Sequence, residues 1–151
     1  MTTKNQIEHF LKQKDIAIAG VSRDGKNIGN AIFKELKGKD YNLFQINPNA
    51  DEINGEVCYR SFQSIQENVS AVIMTVKPEQ SLQVVKDAHA KGIKNIWMQL
   101  GSGSEEAIKF CQENDINYIS NECIFMFAEP VESIHKFHKW VWKLIGKLPK
   151  N

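Results

Sequence analysis

The sequence has few cysteines, almost no net charge and no long apolar segment. Its three cysteines (Cys58, Cys111 and Cys123) are an odd number without CxxC spacing, which indicates reduced thiols in a cytoplasmic protein. With a formal charge of +1, the chain lacks the strong positive field of a dedicated nucleic-acid-binding protein. No apolar run approaches the ~20 residues of a membrane span. The first ten residues lack the basic-then-apolar pattern of a secretory signal, so we expect a cytoplasmic location.

The composition is that of a folded domain. Hydrophobic residues make up 42% of the 151 residues and charged residues 25%, which excludes a disordered chain, a collagen-like chain and a coiled coil. This length predicts a single domain over residues 1–151, with its core at about 15–123.

Short apolar runs alternate with helical patterns along the chain. Strands are predicted at 15–20, 42–46, 55–59, 70–76, 95–100 and 116–120, and helices at about 3–11, 28–37, 78–90, 102–111 and 131–146. Such strand–helix–strand units with short links form a parallel sheet with helices on both faces. The predicted fold class is therefore α/β: a doubly wound, mostly parallel, Rossmann-like sheet in three α/β/α layers, with an added C-terminal helix.

Several polar residues and glycines mark the ends of these helices. Thr3 has capping-box spacing with Gln6, and Ser102 has it with Glu105. Asn27 can cap the second helix at its start, and a glycine follows that helix directly.

Ligands of such sheets bind at the carboxyl ends of the strands, so the loops there are candidate sites. The first loop, residues 20–29, has three glycines, Ser22, Arg23 and Lys26 just before a helix. Backbone N–H groups and the helix dipole at that position favour a phosphate. The alternative is a plain connecting turn.

Two nucleotide motifs fit this loop poorly. Gly20 to Lys26 matches GxxxxGK, but Asn27 stands where a P-loop needs Ser or Thr for Mg²⁺. The GxGxxG motif of dinucleotide-binding proteins is absent, and the second strand ends in Asn47-Pro48 rather than in an acid that would bind the adenosine ribose. An NAD(P)-dependent oxidoreductase stays open as the alternative function.

Four loop sequences taken together resemble a known family: GVSRDGKNIG (20–29), INPNADEINGEVCY (46–59), TVKPEQ (75–80) and WMQLG (97–101). This set is similar to the CoA-binding domain family, small stand-alone Rossmann-like proteins related to the nucleotide-binding domain of succinyl-CoA synthetase α-subunits. The resemblance covers roughly residues 15–123. It implies that the chain binds coenzyme A (CoA) or an acyl-CoA non-covalently, as a sensor, carrier or accessory protein.

The resemblance also implies a set of binding residues. A glycine loop would wrap the CoA pyrophosphate, with basic residues near the phosphates, and the second strand would end beside the adenosine. The segment after the fourth strand would pack on the nucleotide, and the end of the fifth strand would face the pantetheine. The residues concerned are Gly20, Val21, Ser22, Arg23, Lys26, Asn47, Pro48, Val76, Lys77, Pro78, Gln99 and Gly101. Asn in place of an acid at 47 also removes repulsion of the 3′-phosphate.

The chain departs from the family in two respects. Many relatives have a basic residue after the last strand, where this chain has Asn121-Glu122-Cys123. The large synthetases use a phosphorylated histidine on a second domain, which this chain lacks, so we do not expect a complete acyl-CoA ligase. We see no catalytic constellation. Cys123 could exchange with the CoA thiol if its thiolate were activated, but a plain half-buried cysteine is the preferred interpretation.

The last helix is amphipathic. Residues 131–151 carry five lysines and one acid, a formal charge of +4 against −3 for the rest of the chain. Such a helix packs on its own sheet, forms a homodimer contact in which Trp140 is the residue to test, or serves as an interaction module. Glu132, His135 and His138 have the spacing of metal ligands on one helix face, although a polar edge is the preferred interpretation and no metal is predicted.

Overall fold

The computed structural model describes residues 2–127. Within them the helices are α1 (Lys4–Leu11), α2 (Ile28–Leu36), α3 (Pro78–Lys91) and α4 (Glu105–Glu113). The strands are β1 (Asp15–Ala19), β2 (Asn42–Ile46), β3 (Glu52–Ile53), β4 (Glu56–Tyr59), β5 (Ala71–Met74), β6 (Asn95–Gln99) and β7 (Asn117–Glu122). The predicted helix at 131–146, with Trp140 and the Glu132, His135 and His138 spacing, lies outside the described residues.

The strands form one sheet in the order β3-β4-β2-β1-β5-β6-β7. All neighbouring strands are parallel except β3 and β4. Counted in chain order, the six parallel strands follow the order 3-2-1-4-5-6 of a doubly wound dinucleotide-binding sheet. The direction of winding therefore reverses between β1 and β5, where Ala19 lies opposite Met74. The predicted Rossmann-like fold is confirmed.

Alternate residues of the central strands enter two separate cores. Ile16 and Ile18 of β1 pack with α1 and α2, while Ala17 and Ala19 pack with α3 and α4. The strand side chains at these positions are almost fully buried. Such apolar burial on both faces is what a parallel sheet covered by helices requires. The three-layer α/β/α arrangement thus follows directly from the uninterrupted apolar strands.

One strand, β3, was absent from the sequence prediction. It pairs antiparallel with β4 through a two-residue turn at Asn54 and Gly55, which have φ values of 53° and 80°. Two consecutive positive φ angles match the twist of a tight hairpin, and Asn-Gly is the dipeptide that accepts them most readily. The buried amide of Gln45 on β2 supports the hairpin by donating to the carbonyl oxygens of residues 53, 56 and 57, at 3.2–3.3 Å.

The predicted helix caps are correct for α1 and α2 but wrong for α4. Thr3 with Gln6, and Asn27 with Asn30, form capping boxes at the starts of α1 and α2. The cap of α4 is Ser104, whose Oγ accepts from the N–H of Ala107 at 3.1 Å. Ser102 is instead buried and donates to the carbonyl of Val76 at 2.7 Å. Its hydroxyl is thus used to fix the loop after β5 rather than to begin a helix.

Helix α1 directly precedes the central strand β1 in the chain, but it packs on β6 and β7 at one edge of the sheet. Gln6 Nε2 donates to the carbonyl of Tyr118 at 3.3 Å, and Thr2 Oγ1 donates to that of Ser120 at 3.3 Å. The Phe10 ring meets the buried Trp97 edge-on, with 5.3 Å between centroids. Edge-on aromatic pairs are favourable beyond the area they bury. The bonds from Thr2 and Gln6 to β7 thus join the two ends of the described chain.

Candidate functional site

A cleft of about 760 Å³ opens at the carboxyl ends of β1, β2 and β5, at the point where the winding of the sheet reverses. The loop after β1 and the end of β2 form one wall, and the first turns of α3 form the opposite wall. Sheets of this strand order bind their ligands at this position. The cleft is therefore the candidate site.

The floor of the cleft depends on a close approach between two loops. Gly20 has a φ of 107°, and a Cβ on it would clash with Thr75 Oγ1 and come within 3.0 Å of the backbone of Val76. A Cβ on Gly29, at the start of α2, would come within 2.8 Å of the same hydroxyl. Only glycines allow the chain to pass so close to the loop after β5. The start of α2 is thereby packed against the end of β1.

Side-chain amides hold this loop in place. Asn27 Nδ2 donates to the carbonyl of Gly20 at 2.6 Å, and Asn30 Oδ1 accepts from the N–H of Ser22 at 2.9 Å. Ser22 Oγ donates to Asp24 at 2.7 Å, and this bond lowers the pKa of the Asp24 carboxyl. The loop thus presents the N-terminal end of α2 beside the cleft in a fixed conformation, where the helix dipole favours an anion.

The end of β2 forms the next part of the wall. Asn47 Nδ2 donates to the carbonyl of Val21 at 2.9 Å, and its Oδ1 accepts from the N–H of Asn49 at 2.8 Å. The amide therefore ties the end of β2 to the loop after β1, through a donor that a carboxylate lacks. Pro48 and Asn49 continue the lining.

An ion pair lies at the rim, where the β3–β4 hairpin meets the cleft. Arg60 Nε and Nη2 donate to the two carboxylate oxygens of Asp51, at 2.8 and 3.2 Å, and Nη1 donates to the carbonyl of Pro48 at 3.2 Å. The bonds from Arg60 lower the pKa of the Asp51 carboxyl. Because the hairpin pairs residue 52 with residue 57, it brings Asp51 and Arg60 next to each other.

The opposite wall is built by α3 and the loop before it. Val76 and Lys77 line the cleft, and the bond from Ser102 fixes the Val76 carbonyl. Glu79, Gln80, Gln83, Val84 and Asp87 continue along the exposed side of the helix. This wall is mainly polar and carries acids as well as Lys77.

The structure places half of the predicted binding residues in this cleft. Those that line it are Gly20, Val21, Asn47, Pro48, Val76 and Lys77. Lys26 lines a second cleft of about 460 Å³ between α2 and the hairpin. Ser22, Arg23, Pro78, Gln99 and Gly101 do not line the main cleft.

Gln99 is committed to contacts within the protein. It is buried, its Nε2 lies 3.1 Å from Cys123 Sγ, and its Oε1 accepts from the N–H of Ile124 at 3.0 Å. These bonds fix the segment that follows β7 against the end of β6.

Several residues that line the cleft were not predicted to bind. Besides Asn49 and the α3 residues named above, they include Asn27, Arg60, Phe62 and Thr75. Arg60 directly follows β4, which runs parallel to β2 and ends at the same edge of the sheet. The rule that ligands bind after parallel strands would have found Arg60, had it been applied to that strand.

Other titratable groups lie away from the cleft. Cys58, Cys111 and Cys123 are free thiols, and burial raises the pKa of Cys111 to about 12. Glu122, at the end of β7, is 7% exposed and its Oε2 has no hydrogen-bond partner. Burial raises its pKa to about 7.

Two features are absent from residues 2–127. No group of three His, Cys, Asp or Glu side chains there is arranged to hold a metal ion. None of the helices in this part of the chain is long and apolar enough to cross a membrane.

Comparison with solved structures finds similar proteins of the same fold. A hypothetical protein from Pyrococcus horikoshii has a TM-score of 0.76 and 30% identity, covering 82% of this chain and 87% of that one. A conserved hypothetical protein from Pyrococcus furiosus has a TM-score of 0.68 and 37% identity, covering 74% of this chain and 96% of that one.

The chain also matches one part of a longer protein of known activity. An ADP-forming acetate–CoA ligase from Methanocaldococcus jannaschii is 28% identical over 115 residues, which are 76% of this chain but 16% of the ligase. The chain thus spans about a sixth of that relative. A family model described as a CoA binding domain matches residues 14–129. With most of its length matched by this model, the chain belongs to the CoA binding domain family.

Proposed function

We propose that this chain binds CoA or an acyl-CoA non-covalently in the cleft at the carboxyl ends of β1, β2 and β5. The observation that carries the proposal is the close packing of Gly20 and Gly29 on Thr75, which brings backbone N–H groups and the start of α2 to the rim. A pyrophosphate fits such a helix start, because the dipole and the N–H groups favour an anion. Membership of the family supports CoA as the nucleotide.

The walls suit the two halves of the ligand. Asn47 and Pro48 lie where a sheet of this order receives the adenosine ribose. Val76 and Val84 give the opposite wall an apolar component for the adenine or the pantetheine. The cleft volume of about 760 Å³ is within the range of sites for ligands of this size.

Calorimetry and thermal melting of the full chain test the proposal, with CoA, acetyl-CoA, ADP and NADH as ligands. We expect CoA to raise the melting temperature. At a concentration of a hundred times its Kd, CoA should add about 2.7 kcal/mol to the free energy of unfolding. No shift with millimolar CoA would overturn the proposal. A larger shift with NADH than with CoA would favour the alternative, a nicotinamide-dependent oxidoreductase.

We propose further that the chain acts by binding rather than by turnover. This chain matches only 16% of the length of the ligase relative, so most of that ligase has no counterpart in the matched region. The test is to incubate the protein with acetyl-CoA, ADP and phosphate and to measure free thiol and ATP. We expect neither to form faster than in buffer, and protein-dependent formation of either would contradict a pure binding role.

The location and the oligomeric state belong to the same proposal. A cytoplasmic location suits a protein that uses CoA. A homodimer through the helix predicted at 131–146 stays a prediction, as does an interaction with another protein there. Native mass spectrometry of the full chain reports the oligomeric mass and any co-purified ligand together.

A further inference from the structure

We propose that Arg60 recognises the phosphate carried by the adenosine ribose of the ligand, and that Asp51 positions Arg60 for this task. The inference rests on the proposed function. It adds to that proposal a residue that distinguishes a ribose-phosphorylated nucleotide from an unphosphorylated one.

Arg60 lies beside the expected position of the adenosine ribose. In a doubly wound sheet the ribose of a bound nucleotide lies at the end of the second strand, where an acid binds a ribose hydroxyl or a nearby arginine binds a ribose phosphate. Here Asn47 occupies the place of the acid, and Arg60 Nη1 is bonded to the carbonyl of the next residue, Pro48, at 3.2 Å. Arg60 is therefore the cation next to the ribose position.

Arg60 keeps hydrogen-bond donors available for a ligand. A guanidinium has five N–H groups. Asp51 accepts one N–H bond from Nε and one from Nη2, and the Pro48 carbonyl accepts one from Nη1. One N–H group on Nη1 and one on Nη2 are therefore left for a ligand. Two such donors on one planar group match two oxygens of a phosphate. The Arg60 side chain is 56% exposed, so a ligand in the cleft can reach it.

Asp51 fixes this orientation of the Arg60 guanidinium. Its two oxygens hold the guanidinium from one side at 2.8 and 3.2 Å, and the hairpin fixes both residues. An arginine already held in place loses less side-chain entropy when it binds. Asp51 also offsets part of the positive charge of Arg60. We therefore expect directed hydrogen bonds, as well as charge, to supply the binding free energy that Arg60 contributes.

The other candidate cations are less well placed. Lys26 lines the second cleft, between α2 and the hairpin. Lys77 lines the main cleft, but on the opposite wall and within the same lining as Glu79 and Asp87. Within the described chain, Arg60 and Lys77 are the only Lys or Arg side chains that line the main cleft.

The experiment compares CoA with dephospho-CoA, which lacks the 3′-phosphate, by calorimetry on the full-length protein. The variants are Arg60→Gln, Arg60→Lys, the rival cation Lys26→Gln and the charge-matched control Lys94→Gln, which is exposed, lies before β6 and should leave both affinities unchanged. We expect Arg60→Gln to weaken CoA binding about ten- to a hundred-fold, as for the loss of charged hydrogen bonds, and to leave dephospho-CoA within about two-fold. Arg60→Lys should restore part of the difference, because it keeps the charge without the fork. Lys26→Gln should keep the wild-type ratio.

Each other result has a distinct meaning. If the wild-type protein binds neither ligand, the proposed function fails. If it binds both equally, or if Lys26→Gln rather than Arg60→Gln removes the difference, CoA binding stands and the assignment of Arg60 is overturned. An equal loss of both ligands in Arg60→Gln also overturns it, because the residue would then act on the fold or on the pyrophosphate. NADP, with a 2′-phosphate, is the last arm: tighter and more Arg60-dependent binding of NADP than of CoA would overturn CoA as the source of the phosphate.

Discussion

Gly20 and Thr75 lie in contact where the winding of the sheet reverses, and the space between them cannot hold a methyl group on the glycine. Thr75 Oγ1 donates to the carbonyl of Ala19 at 3.2 Å, so the threonine is fixed and cannot turn away freely. The floor of the cleft thus depends on the absence of a side chain at Gly20.

Gly20→Ala should therefore unfold more readily and lose CoA binding. We expect about 1–3 kcal/mol of destabilisation from the positive φ, and more from the clash with Thr75. Gly38→Ala is the matched control, because Gly38 also has a positive φ, of 87°, but a Cβ there meets no atom within 4 Å. Urea denaturation measures the difference. Equal stability of the two variants would mean that the close approach is unimportant.

Asn47→Asp should weaken CoA binding more than Asn47→Ala does. Both variants lose the donor to the carbonyl of Val21, but only the aspartate adds a negative charge beside the expected ribose phosphate. We expect about a ten-fold lower affinity for the aspartate than for the alanine, measured by calorimetry at low ionic strength and then at high ionic strength. The gap should narrow with salt. A gap that does not change with salt would contradict an electrostatic cause.

Gln45→Leu should destabilise the β3–β4 hairpin. The leucine removes the amide donor that serves the carbonyls of three hairpin residues, and unpaired buried acceptors cost about 1–3 kcal/mol. Hydrogen exchange of residues 51–60 should rise relative to that of β1 and β5. Gln66→Leu, at an exposed position, is the control. Unchanged exchange in the hairpin would show that the amide bonds are not needed there.

Glu122→Gln should change how stability depends on pH. Burial raises the pKa of the folded carboxyl from its ordinary 4.5 to about 7, so between these values the folded protein holds a proton that the unfolded chain has released. The free energy of unfolding should therefore fall as the pH rises from about 4.5 to about 7. Above pH 7 this carboxyl should add no further pH dependence.

The glutamine variant lacks this titration and should be more stable than wild type by about 1–3 kcal/mol near pH 8. Urea denaturation between about pH 5 and pH 8 measures both proteins, with the exposed Glu67→Gln as the control. Parallel stability profiles for wild type and Glu122→Gln would contradict the shifted pKa.

The sequence predicts the sheet well because its signals are local. Apolar runs such as 71–74 are buried on both faces, and the asparagine cap of α2 lies three positions from the residue it bonds. The hairpin was missed although the Asn54-Gly55 signal was present, because β3 has only two residues and no apolar alternation. Ser102 was misjudged because it has capping-box spacing with Glu105, which Ser104 lacks, whereas in the folded chain its hydroxyl is bonded to Val76 and Ser104 is the cap.

The candidate site was predictable only in part. Residues that directly follow β1, β2 and β5 could be placed, since parallel strands end at one edge of the sheet. Arg60 directly follows β4 and could have been placed in the same way, but its bonds to Asp51 depend on the β3–β4 hairpin, which was not predicted. The position of Lys26 depends on the direction in which the loop after β1 runs, which the spacing of nearby residues does not encode.

The docking of α1 has a consequence for how the protein folds. The bonds from Thr2 to Ser120 and from Gln6 to Tyr118 join residues more than a hundred positions apart. Closing so long a loop is entropically costly until the intervening sheet exists, and contacts of high sequence separation slow folding. Helix α1 must therefore wait for β7 to join the sheet before it can dock. Until then Trp97 has no Phe10 to cover it, which makes its fluorescence a natural reporter of the final step.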